Sequence, residues 1–170
     1  MIPEDMHLDR LAHQLKTSDV VITPHLHDEL SQDDIQALHQ AVQSAESSST
    51  RDKLGDIKIV YSDVHGLTYT SARDAAQTLK DQTGAQTVIL QTPDASSTVA
   101  ENIPRYTIES NQGKIWANTR VSSTESFLAS LENSHVPTVP IMGITLAAVI
   151  IATLFSAIAF FLRRSRSNTQ

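Results

Sequence analysis

The sequence has no cysteine, so disulfides, thiolate zinc sites and cysteine nucleophiles are excluded together. Glycine is scarce at five residues, and no glycine-rich phosphate loop occurs, which leaves nucleotide binding without support. No Gly-x-Ser-x-Gly elbow accompanies the hydroxyl-rich stretches Ser47 to Thr50 and Ser96 to Thr98, both of which read as loops. A positive surface is lacking too: the formal net charge is -6, and nucleic acid is not expected as a partner. The opening MIPEDMHLDRLAHQL has neither the basic region nor the apolar region of a signal peptide.

What the chain does have is one long apolar run. From Ile141 to Leu162 it reads IMGITLAAVIIATLFSAIAFFL without a charge, and 22 residues at about 1.5 Å each cover roughly 33 Å, the thickness of a bilayer core. A buried helix of that length carries a polar face, which this one lacks. Residues 141–162 are therefore expected to be a C-terminal transmembrane helix, with the lipid bilayer as partner. Pro137 and Pro140 place a linker at 136–140, and 163–170 form a basic tail whose Arg163, Arg164 and Arg166 mark the membrane interface. Gly143, Ala147, Ala148 and Ala152 would permit close helix packing.

The three tail arginines argue for a cytoplasmic tail and an extracytoplasmic domain at the plasma membrane. The missing signal peptide argues the other way, for a cytoplasmic domain on a tail anchor. The first placement is the expected one.

Residues 1–135 are expected to fold as one domain. Leu8, Leu11, Ala12 and Leu15 recur at helical spacing, with Glu4 and Asp5 in the first turn. Val20 to Ile22 reads as a short strand ended by Pro24. A helix over Gln32 to Ala45 follows, capped by Ser31 with Asp34. Ile57 to Tyr61, Ser71 to Gln82 and Thr87 to Leu90 read as strand, helix and strand, a βαβ unit of adjacent parallel strands. Ser71 with Asp74 would cap that helix and Gly84 would close it. Arg105 to Ser110 and Lys114 to Ala117 flank Asn111-Gln112-Gly113 like a hairpin, so antiparallel strands are expected to extend the sheet. Ser122 with Glu125 suggests a last helix turning Phe127, Leu128 and Leu131 inward. The fold class is α/β: a small mixed sheet with a βαβ core flanked by helices.

The segments LSQDDIQALHQAV, IKIVYSD, DQTG and AQTVILQTP, in this order over Leu26 to Gln91, resemble the TPM domain. Together with the anchor they resemble a group of small actinobacterial single-pass membrane proteins. Several of these are encoded near peptidoglycan endopeptidases, which implies an envelope role and a peptidoglycan hydrolase as partner. Some TPM proteins are linked to metal-dependent phosphatase activity through clustered acids. Asp63 is the nearest match here, and a single aspartate leaving a strand is commonly a turn former.

His25-Leu26-His27-Asp28-Glu29 is the most metal-like local sequence, since two imidazoles would alternate on one side of an extended chain. The expected reading is nevertheless an exposed loop between Pro24 and Ser31, whose acids favour the following helix N-terminus, with His25, His27 and Asp28 as weak metal candidates. His65-Gly66 falls where a strand-edge ligand would lie, or at a plain turn. Trp116 caps the core or anchors a partner. No cofactor and no catalytic set is expected. The residues point to a membrane-anchored, non-catalytic interaction domain assisting or regulating cell-wall remodelling. The alternatives are a TPM-like metal-dependent phosphohydrolase and a cytoplasmic membrane-tethered adaptor.

Overall fold

Alternation along the strands builds the molecule. In β2 (Ile57–Tyr61) the side chains of Ile57, Ile59 and Tyr61 turn to one face, while Val60 turns to the other. The same period runs through β1 (Val20–Ile22) and β3 (Thr87–Gln91), all of whose residues are buried or half-buried. A strand buried on both faces needs a helical layer on each side. The computed structural model describes residues 2–47, 51–116 and 120–133. The chain divides into two units after Ser134, and the described residues all lie in the first.

On one face lie α1 (Leu8–Leu15) and α5 (Tyr69–Thr83), whose Leu11, Leu15, Ala72, Ala75, Ala76 and Leu79 pack on Val21, Val60, Val88 and Leu90. On the other lie α2 (Pro24–Glu29), α3 (Gln32–Ser47) and α4 (Arg51–Leu54), with α6 (Arg105–Asn111) and α7 (Arg120–Glu132). Leu38, Val42, Leu54, Phe127 and Leu131 are fully buried there against Ile57, Ile59 and Tyr61. Each such side chain contributes about 1.5–3 kcal/mol by leaving water.

The sheet runs β1-β2-β3-β4. The first three strands are parallel, as the βαβ reading requires, with Ile59 opposite Val20 and Ile89. The fourth, β4 (Ser96–Ala100), is antiparallel to β3. The connection from β1 to β2 crosses one face through α3, and that from β2 to β3 crosses the other through α5. Both step the same way across the sheet on opposite faces, so the two crossovers have opposite hands and one is of the rare left-handed kind. The consequence is local. The chain leaves the C-terminal ends of β1 and β2 in opposite directions, the switch point at which open α/β sheets form a crevice.

Several sequence expectations are corrected. Residues 105–110 and 114–116 form α6 and a 3₁₀ turn (Gln112–Trp116), not a hairpin, because Pro104 starts a helix that buries Thr107 and Ile108. The antiparallel strand comes instead from the stretch read as a hydroxyl-rich loop. A two-residue turn at Pro93 and Asp94 folds it back, with Thr92 N–H donating to the Ala95 carbonyl at 2.9 Å. Glu4 and Asp5 sit in a separate 3₁₀ turn (Glu4–Met6), set off from α1 by His7 at φ 44°. The cap of α5 is Thr68, reciprocally bonded to Ser71, rather than Ser71 with Asp74. Helix α7 starts at Arg120, which places Ser122 inside it.

The expected cap of α3 is present: the Asp34 N–H donates to Ser31 Oγ at 3.1 Å and the Ser31 N–H to Asp34 Oδ2 at 3.3 Å. Gly84 closes α5 at φ 75°, its N–H donating to the Lys80 carbonyl at 2.9 Å. The apolar run 141–162 and the tail arginines lie outside the described residues. Among the described residues no helix is long and apolar enough to cross a membrane.

Candidate functional site

The crevice between β1 and β2 is floored by the first residues past each strand. Thr23 continues β1, its N–H donating to the Tyr61 carbonyl at 2.9 Å. Asp63 stands two residues beyond β2. The Thr23 hydroxyl donates to Asp63 Oδ1 at 2.7 Å, and the Asp63 N–H donates back to Thr23 Oγ1 at 3.1 Å. This pair fastens the two strand ends where their chains diverge. The Thr23 hydrogen bond holds the Asp63 carboxyl below the usual carboxylate range; partial burial opposes it, while the Asp63 N–H and the nearby imidazoles of His25 and His65 reinforce it.

Helix α2 brings His25 to one rim, and the β2–α5 loop brings His65 to the other. The exposed His65 Nδ1 lies 3.3 Å from Asp94 Oδ2, and the Gly66 N–H donates to the same oxygen at 2.6 Å. Gly66 needs its φ of 83°, which a side chain would strain. Asp94 thereby ties the β2–α5 loop to the β3–β4 turn.

The metal reading of His25, His27 and Asp28 is corrected in one respect. These residues are helical, not extended, and positions two apart on a helix point about 200° apart, so His25 and His27 face opposite ways. Among the described residues no group of three or more histidines, aspartates or glutamates is placed to hold a metal ion. His25 and His65 each lie within electrostatic reach of Asp63 instead. The sequence carries one faint signal of this: VVIT and IVYSD each end an apolar strand in a hydroxyl or carboxyl group.

A second feature lies at the α5 and α6 helices. Tyr106 is 79% exposed and Tyr69 41% exposed, the large hydrophobic side chains that stand out into solvent among the described residues. The Tyr69 hydroxyl donates to Glu109 Oε1 at 3.4 Å, and Arg105 pairs with the same carboxylate. Arg105 holds the Glu109 carboxyl below its ordinary range, with partial desolvation opposing. Glu109 thus holds Tyr69 and Arg105 together, and the exposed Tyr106 follows Arg105 in the chain. Trp116 closes the 3₁₀ turn after α6.

A family model described as membrane protein Rv1476 matches residues 1–170, the whole chain. The chain belongs to that family. No curated protein and no solved structure matches it. The family is described as one of membrane proteins, and the sequence of this member carries the charge-free run 141–162 after its α/β unit. The resemblance to small actinobacterial membrane proteins agrees with that family at this coarse level.

Proposed function

We propose that the chain is a single-pass membrane protein whose α/β domain acts by binding another protein at the membrane face, without catalysis of its own. The observation that carries the binding role is the exposure of Tyr69, Arg105 and Tyr106, since tyrosine and arginine dominate the energetically decisive positions of interfaces. The charge-free run 141–162 and the membrane family support the tether. The domain lies outside the plasma membrane and Arg163, Arg164 and Arg166 lie at the cytoplasmic interface. The resemblance to small actinobacterial single-pass membrane proteins points to an envelope partner such as a peptidoglycan hydrolase. Tethering raises the effective concentration toward partners held at the same face, so a weak contact suffices.

Loss of the gene should be complemented by the full chain and by the domain on an unrelated helix of the same orientation. Residues 1–137 released as a soluble protein should fold and fail to complement at native expression. Full complementation by the released form sinks the tethered reading. A cysteine introduced at the exposed Glu101 has no background and should react with an impermeant maleimide in intact cells. Labelling only after lysis favours the cytoplasmic adaptor instead. The second reading, a metal-dependent phosphohydrolase, rests on the TPM resemblance, for which Asp63 is the nearest acid. Phosphate release by the purified chain that is lost in Asp63→Asn selects it over the first.

A further inference from the structure

We draw no further inference here: the strongest candidate, the mainly apolar groove where the Glu4–Met6 turn and the start of α1 meet α5, lined by Ile2, Pro3, Leu8, Arg10, Thr78 and Gln82, carries nothing, because nothing in the structure shows what covers it.

Discussion

Thr23 and Asp63, forty positions apart, do for the crevice what no local segment can. Thr23→Val keeps the shape and removes both hydrogen bonds, each contributing about 0.5–1.5 kcal/mol, so the domain should lose roughly 1–2 kcal/mol at pH 7. The folded pKa of Asp63 is lowered, so its contribution is present above the unfolded value of about 3.9 and fades as pH falls through the folded value. Thermal melts of wild type and variant should accordingly converge toward pH 3, and an unchanged gap there contradicts the assignment. Lys58 makes the opposite case. Burial of its ammonium pulls the pKa down, and Asp19 at 2.7 Å with Asp56 at 3.1 Å more than reverses this, leaving it raised. Its stabilisation is present below the unfolded value of about 10.4 and is lost as pH rises through the folded one. Stability should drop as pH rises above about 10.4, and Lys58→Met should flatten that drop.

Among the elements, α5 shows how near-equivalent local signals are sorted. Ser71 and Asp74 have cap spacing, but the strand-to-helix loop reaches the sheet one turn earlier and makes Thr68 the cap. Thr68→Ala should therefore cost about 1 kcal/mol, and Asp74→Ala should change the melting temperature little. The reverse order restores the cap read from sequence. Strand β4 shows the limit of pattern reading. SSTVA has little apolar alternation, and it became a strand because β3 offered an edge and the Pro93-Asp94 turn aimed it there. Its buried hydroxyls have no partners, so Ser97→Ala and Thr98→Val should each stabilise the folded chain, by about 1 kcal/mol. Destabilisation in either variant means the hydroxyl is bonded after all. Arg105 to Asn111 erred the other way: its apolar spacing suits a strand or a single helical turn, and Pro104 with burial of Ile108 decided for helix.

For the whole molecule, the full chain should stay with membranes through alkaline carbonate extraction, whereas residues 1–137 should appear in the soluble fraction. Release of the full chain by carbonate contradicts an integral anchor. The parallel βαβ unit, the faces of α1, α3 and α7 and the Gly84 cap were legible because each rests on neighbours a few residues away, through periodicity, caps and turn chemistry. The apolar run 141–162 lies outside the described residues, and its reading as a membrane segment rests on twenty-two uncharged residues alone. The opposite faces of the two crossovers, the crevice they open and the pairing of Thr23 with Asp63 were decided by tertiary structure alone. Which face a crossover takes depends on how two helical layers share one sheet, and that balance of burial involves residues far apart along the chain.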